Sequence, residues 1–332
     1  MISMTSHVPI KNIQKNEYEI KITKSIYPVK VFEKNCPLFF CMRGVRIMKD
    51  YNEKTIHKLN LVAVKIRKHI IEMLYRANSG HPGGSLSAVD ALVALYFSHM
   101  RHNPKKPRDP DRDRFILSKG HAAPALYAVL AECGYFPGEE LKRLREINCM
   151  LQGHPVCLDI PGVEASTGSL GHGLSFANGV ALAGRLDKKN YNIYAMLGDG
   201  ETDEGQVWEA AAAASHYKLD RLTALIDRNF LQIDGHTEEV LRLESVRDRW
   251  SAFGWHVIEI DGHDMKQILD ALDEADAHKK QPSMIILNTV KGKGVSFMEN
   301  NVDFHGVPPN EMEYNLAMEE LNLLQEKLEA YS

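Results

Sequence analysis

Between residues 192 and 290, short apolar runs alternate with longer segments of helical character, and this alternation leaves the chain very few architectures. Asn192 to Leu197 reads as a strand, Gly205 to Tyr217 with its Ala210 to Ala214 run as a helix, and Leu222 to Ile226 as a second strand. His256 to Ile260 and Met284 to Leu287 are further strands, separated by an amphipathic helix through Ile268 and Leu272. Strand–helix–strand units of this kind are right-handed and parallel. The expected fold is therefore α/β, a doubly wound, mostly parallel sheet flanked by helices. Ligands of such sheets bind beyond the carboxyl ends of the strands. Gly198-Asp199-Gly200, Asp227-Arg228-Asn229 and Asp261-Gly262-His263 fall there.

Upstream, Val62, Ile66, Ile70 and Met73 recur at helical spacing and predict a helix that ends before Asn78-Ser79-Gly80. Gly83-Gly84-Ser85 precedes an apolar run from Leu86 to Phe97, which predicts a sharp turn presenting backbone N–H groups at a helix start, a favourable place for an anion. Phe115 to Leu117 reads as a buried strand delivering the polar loop Ser118-Lys119-Gly120-His121, with a helix from Pro124 to Cys133 behind it. Ala317, Leu321, Leu324 and Leu328 mark a closing helix. The domain so outlined runs from residue 51 to residue 332.

Residues 1 to 50 stand apart as a poorly patterned extension, with β-prone scraps at Tyr18 to Ile22 and Val29 to Phe32 and no sustained period. Arg43 and Gly44 can be encoded by a purine-rich ribosome-binding sequence, which makes Met48 a candidate for the true start. The other readings are a small interaction arm or a targeting extension, the latter disfavoured by Glu17, Glu19 and Glu33.

The balance of 40 basic against 44 acidic residues argues against a nucleic-acid or membrane-surface specialist. Cysteines 36, 41, 133, 149 and 157 are odd in number and lack zinc or disulfide spacing, which fits a reducing, cytoplasmic setting. No apolar run approaches the roughly 20 residues of a membrane span.

Gly198-Asp199-Gly200 and Asn229 would bring a carboxylate and an amide oxygen to adjacent strand ends, a hard oxygen site suited to magnesium or calcium with positions left for phosphate oxygens. The glycines allow backbone to approach a diphosphate closely. Taken alone, the same tripeptide is equally a tight turn with a capping Asp.

This arrangement resembles the thiamine diphosphate binding motif, and the surrounding residues resemble the transketolase family. From about Ile56 to Asn310 the matching pieces are Ala77-Asn78-Ser79-Gly80-His81-Pro82-Gly83, Asp113-Arg114-Phe115 leading to Ser118-Lys119-Gly120-His121, and Gly153-His154-Pro155. Ser166-Thr167-Gly168-Ser169-Leu170-Gly171, Gly198-Asp199-Gly200 and Ile233-Asp234-Gly235 complete them. The resemblance implies the thiamine diphosphate-binding fold, thiamine diphosphate as cofactor with Mg2+ or Ca2+, and a metal held by Asp199, the side chain of Asn229 and the carbonyl of Leu231. It places Gly168, Leu170, Gly200, Ile233 and Asp227 along the cofactor, with Ile233 and Asp227 near the thiazolium ring. His121 and His305 would sit near the diphosphate and the reaction centre, while His81 and His154 would face the sugar. Glu204 and Glu209 match carboxylates at a subunit interface near the cofactor, and Lys291-Gly292-Lys293-Gly294 resembles a loop bordering it.

The catalytic expectation is thus His81, His121, His154 and His305. Ketol transfer moves a proton at a sugar hydroxyl in each half-reaction, and imidazole suits that near neutrality. His263, in Asp261-Gly262-His263-Asp264, reads as a turn and helix-cap residue.

In full-length relatives a pyrimidine-binding domain follows and supplies the glutamate that lets the cofactor form its ylid. No segment here can stand in for it. The resemblance therefore implies the N-terminal subunit of a split transketolase, transferring a two-carbon ketol unit from a ketose phosphate to an aldose phosphate as in the pentose phosphate pathway. Its partner would be a separately encoded C-terminal subunit carrying the pyrimidine-binding domain, in a heterotetramer. His172 stands where many members carry Gln, and Phe230 where a second Asn is common. The alternatives are a subunit of a 2-oxo acid dehydrogenase or deoxyxylulose-phosphate synthase, or a noncatalytic partner that kept the fold. A nicotinamide dehydrogenase is poorly supported, because Gly168 to Gly173 lacks the required glycine order.

Overall fold

The computed structural model describes residues 51–330, so the expectations for residues 1–50, including a start at Met48, lie outside the described residues. The described chain begins with α1 (Glu53–Ala77), capped by the Asn52 side chain, which accepts from Thr55 N–H at 2.9 Å. It ends at Asn78 in the left-handed conformation that Asn tolerates well. Next come α2 (Pro82–Ser87) and α3 (Val89–Ala94), then β1 (Arg114–Leu117), α4 (Ala123–Cys133), α5 (His172–Leu186) and β2 (Ile193–Gly198). α6 (Gly205–His216) leads to β3 (Leu222–Arg228) and a short antiparallel hairpin, β4 (Leu231–Gln232) with β5 (Gly235–His236). α7 (Thr237–Val240), α8 (Val246–Ala252), β6 (His256–Asp261), α9 (Met265–Ala277), β7 (Ser283–Asn288) and α10 (Glu311–Ala330) complete the order.

The main sheet has five strands in the order β1-β2-β3-β7-β6, and every pair is parallel. Alternate residues of each strand enter different cores. Tyr194, Met196, Leu225, Ile285 and Leu287 pack with α1, α3, α4 and α9. Ile193, Ala195, Leu197, Ala224 and Ile286 pack with α5, α6 and Trp250 of α8. With both faces covered, a strand reads as a near-continuous apolar run. That is why periodicity found these strands, and the doubly wound α/β expectation holds.

Two details differ from the sequence reading. Helix formation starts at Pro82, so Gly83 and Gly84 lie inside α2 and not in a turn before it. Pro at the first helical position has no N–H to leave unpaired and carries a helix-ready φ. β3 extends through Arg228, which places Asp227 on the strand, opposite Gly198 of β2 and Leu287 of β7, instead of in the loop beyond. The closing helix forms as expected and lies on α1, with Tyr75 and Tyr314 stacked at 4.3 Å. Among the described residues no helix is long and apolar enough to cross a membrane.

Candidate active site

The carboxyl ends of β1, β2, β3 and β7 open into one cleft. His81, Lys119, His121, Gly168, Leu170, Asp199, Gly200, Asn229, Leu231, Ile233, Lys291 and His305 all line it. Four separate segments bring the four predicted histidines together. His81 is the N-cap of α2, and His121 lies on the turn between β1 and α4. His154 comes from the loop before α5, and His305 from a turn before α10. The His81 ring centroid is 5.4 Å from His121, 5.7 Å from His305 and 6.4 Å from His154, and His121 and His305 stack at 5.4 Å.

Burial, reinforced by neighbouring cations, makes these imidazoles poor bases. It holds His81 at about 4 and His305 at about 3, and it puts His121 and His154 below the ordinary histidine value. They are neutral at pH 7 and can each donate and accept a proton. Lys291 Nζ lies 2.8 Å from His305 Nδ1. An ammonium only donates, so Nδ1 of His305 is the acceptor and Nε2 carries the hydrogen.

The floor holds the oxygen donors. Asp199 directly follows β2, with its carboxylate accepting from Gly200 N–H at 2.8 Å and Phe230 N–H at 2.7 Å. Thus the capping reading and the ligand reading of Asp199 describe one geometry. Burial, with Asp227 close by, pushes Asp199 up to about 6. Asn229 Oδ1 accepts from Leu231 N–H at 3.2 Å, and the Leu231 carbonyl accepts from Lys291 Nζ at 3.1 Å. Among the described residues no three His, Cys, Asp or Glu side chains form a metal-binding group. A set of one carboxylate, one amide and one carbonyl is instead the hard, partly open type that magnesium or calcium takes with phosphate.

Nearby, Thr167 Oγ1 and His81 Nδ1 are buried without a partner. A Cβ on Gly168 would lie 3.0 Å from the His154 ring, and that glycine holds φ +150°. Unpaired polar atoms beside bare backbone are what a polar diphosphate cofactor would satisfy, so the residues present fit the group.

Not every predicted residue reaches the cleft. Asp227 does not line it, contrary to the place expected for it along the cofactor ring. It is fully buried beneath the floor, taking hydrogen bonds from Lys119, Thr289 Oγ1, Ser87 Oγ at 2.6 Å and Asn229 Nδ2 at 3.1 Å. Against the cost of burial, Lys119 and these donors keep it below the usual carboxylate range. Asp227 therefore orients Asn229 and Lys119 from below. Glu204 and Glu209 are exposed, Glu204 at the start of α6 and Glu209 along it, outside the cleft lining. His263 also stays off the cleft lining: Asp264, not His263, caps α9, and the His263 ring bridges Asp90 and the Val290 N–H.

Sequence reasoning did not single out Lys119 or Glu201 as site residues, and it placed Lys291 only in a loop bordering the cofactor. Lysine is seldom buried, yet Lys119 is 1% exposed and Lys291 2%. Burial lowers Lys291 to about 8. Glu201 accepts from Ser118 Oγ, from Gly171 N–H at 2.9 Å and from Gly198 N–H at 3.0 Å, tying the Gly168–Gly171 loop to the Gly198 turn. The loop carrying Lys291 is clamped on both sides. Val290 N–H donates to His263 Nε2 at 2.8 Å, so the opposite nitrogen donates to Asp90 at 2.7 Å. Asp90 also receives both Arg67 Nη groups, at 3.1 and 2.7 Å, and Arg67 Nε–H donates to the Lys293 carbonyl at 3.0 Å.

Comparison with known proteins agrees with this geometry. The family model described as transketolase, thiamine diphosphate binding domain, matches residues 59–329. An apulose-4-phosphate transketolase subunit from Phocaeicola vulgatus is 47% identical over 82% of this chain and 97% of its own length. The 6-deoxy-6-sulfo-D-fructose transketolase subunit SqwG of a Clostridium species is 48% identical over 77% of this chain and 93% of its own. Human transketolase is 41% identical over 84% of this chain, which spans only 45% of that protein. Among solved structures, transketolase from Campylobacter jejuni superposes with a TM-score of 0.72 at 31% identity, covering 82% of this chain and 48% of that one. The chain accordingly spans nearly all of the relatives named as subunits and under half of the full-length enzymes. It belongs to the transketolase family, as a counterpart of that family's N-terminal, thiamine diphosphate-binding part.

Proposed function

We propose that this chain is the diphosphate-binding subunit of a two-chain transketolase, moving a two-carbon ketol unit between sugar phosphates with a separately encoded C-terminal subunit. One observation carries the reading: four neutral histidines converge over a floor of metal-type oxygen donors. Asp199, Asn229 and the carbonyl of Leu231 would hold the divalent metal, and Gly168, Leu170, Gly200 and Ile233 would line the cofactor. When bound, thiamine diphosphate supplies the nucleophile and the electron sink. The protein's part is proton traffic and placement. His81 and His154 bind sugar hydroxyls and exchange protons with them, and His121 and His305 serve the diphosphate side and the reaction centre. Lys119 and Lys291 supply positive charge toward the diphosphate.

The relatives named as subunits support assembly with a partner chain, in keeping with a heterotetramer. Their names also refer to apulose 4-phosphate and a sulfonated fructose, which widens the substrate class beyond the pentose phosphates. Ketol transfer should be assayed with this chain alone, then with the C-terminal subunit, in the presence of thiamine diphosphate and magnesium. Activity confined to the mixture is the expected result. Cofactor binding by the assembled pair without turnover of any sugar pair would leave a noncatalytic subunit instead.

A further inference from the structure

We propose that Glu201 is a positioning residue: it caps α5 from another element, so that the turn carrying Asp199 and the Gly168–Gly171 loop take their places together. This deepens the thiamine diphosphate reading of the cleft and rests on it. Helix α5 has no cap of its own. Its N-cap is Gly171, at φ +84°, which has no side chain to accept from the first turn. Two remote side chains take that part. Glu201 Oε1 accepts from Gly171 N–H at 2.9 Å, and Ser118 Oγ accepts at 3.1 Å from the N–H of Gly173, the second helical residue. The Ser118 hydroxyl in turn donates to Glu201. A serine and a glutamate answering these two amides make the bonds of a capping box, which a helix ordinarily supplies to itself.

The other carboxylate oxygen is committed to the metal side. Glu201 Oε2 accepts from Gly198 N–H at 3.0 Å, so the side chain reaches back past Asp199 and brackets it. The end of β1, the start of α5 and the end of β2 therefore meet on one carboxylate that is 2% exposed. Little else can hold them there. A Cβ on Gly173 would overlap Ser118 Oγ, and one on Gly120 would lie 2.7 Å from the Gly168 nitrogen, so these segments touch through bare backbone. Glycine backbone loses the most freedom on being fixed. The bonds to Glu201 and Ser118 are what hold Gly168 and Leu170 against the Asp199 turn.

The chemistry of the cap is specific to a carboxylate. The partners of Glu201 are three donors, which two acceptor oxygens satisfy and a carboxamide does not. In Glu201→Gln the –NH2 group must face either Gly198 N–H or Gly171 N–H, whichever way the amide is turned, and one of the two walls is released.

The test uses the assembled two-chain enzyme with Glu201→Gln, Ser118→Ala and the double variant. Each is titrated with thiamine diphosphate at saturating magnesium, below its melting transition, and amide hydrogen exchange is followed without cofactor. Affinity should fall about tenfold in Glu201→Gln and about threefold in Ser118→Ala, and no more than about tenfold in the double variant, because both changes break one cap. Exchange at Gly171 and Gly173 should quicken in both single variants. A lower melting temperature with unchanged affinity would leave Glu201 a stabilising residue only and overturn the proposal. Losses that multiply in the double variant would overturn it too. If Glu201→Gln does not fold, Ser118→Ala decides, and unchanged affinity there counts against the proposal. A wild-type pair that binds no thiamine diphosphate refutes the cofactor reading, and the proposal with it; tight wild-type binding with unaltered variants refutes the proposal alone.

Discussion

The main-chain N–H of Phe230 donates to Oδ2 of Asp199 at 2.7 Å, so the residue between two proposed metal ligands also orients the third. To do this Phe230 takes φ +65°. Asn adopts that left-handed conformation more readily than other residues with a side chain. Phe230 recovers part of the cost because the Arg228 guanidinium lies 4.3 Å from its ring centroid. Phe230→Asn should therefore stay within about 1 kcal/mol of the wild type, relief of strain and loss of the cation contact nearly cancelling. Phe230→Val should lose roughly 1–2 kcal/mol and weaken metal-dependent cofactor binding, because a β-branched residue fits that conformation poorly. Thermal melts and cofactor titrations of both variants decide it, and equal behaviour would refute the argument.

Floor and mouth of the cleft should separate in mutagenesis. Asp199→Ala removes the only carboxylate of the oxygen set, so metal-dependent binding of thiamine diphosphate should be abolished. His154 is the least buried of the four histidines and makes no hydrogen bond to the floor donors. His154→Ala should bind cofactor within about twofold of the wild type and lose roughly 10²–10⁴ in turnover, the usual worth of a positioned acid–base group. Titration calorimetry and a ketol-transfer assay test the pair. Normal activity in Asp199→Ala would remove the metal assignment.

The sheet was legible because its strands are buried on both faces, so Ile193 to Leu197 and Leu222 to Ile226 read as apolar runs without any knowledge of their neighbours. The four histidines were legible from motifs, since each sits beside a glycine that lets backbone pack close. Register was not. Whether Asp227 faces ligand or core depends on β3 continuing to Arg228, and that depends on its pairing with β2 and β7. Nor does any local pattern mark the two-residue strands β4 and β5, whose place follows from the left-handed turn at Phe230. The burial of the two lysines was not legible because the groups that make it tolerable, Asp227 for Lys119 and the Leu231 carbonyl for Lys291, are remote in sequence.

The clamp around Lys291 predicts a long-range effect on cofactor affinity. His263→Ala removes the acceptor for Val290 N–H and one donor to Asp90, while Arg67 still holds that carboxylate. The fold should survive and the Lys291 loop should loosen. Affinity for thiamine diphosphate should drop about tenfold, the cost of one hydrogen bond to a charged group spread through the loop. Fluorescence titration of the folded variant measures this. A lower melting temperature with unchanged affinity would show that the clamp serves stability alone.

The buried His99 and the half-buried cleft histidines should impose opposite pH dependences on stability. His99 lies between Asp273 and Asp276 of α9, with ring nitrogens 3.4 and 3.2 Å from their carboxylates, which also accept from Tyr51 and Tyr194 hydroxyls. Burial works against its charge, but the two carboxylates prevail and its pKa is raised. A histidine whose folded pKa exceeds its unfolded value of about 6.5 stabilises fully below that value, and the contribution is lost as pH rises through the folded pKa. In the cleft, His81 at about 4 and His305 at about 3 act the other way. There the unfolded chain takes up protons first, so stability falls as pH drops from about 6.5 toward 4. The melting-temperature gap between wild type and His99→Gln should therefore be widest near pH 6 and narrow toward pH 9, at about 2 °C per kcal/mol for a domain of this size. His81→Gln should instead gain on the wild type below pH 6. A His99→Gln gap that widens with rising pH would mean that His99 is neutral between its carboxylates, contrary to the charge the geometry assigns it.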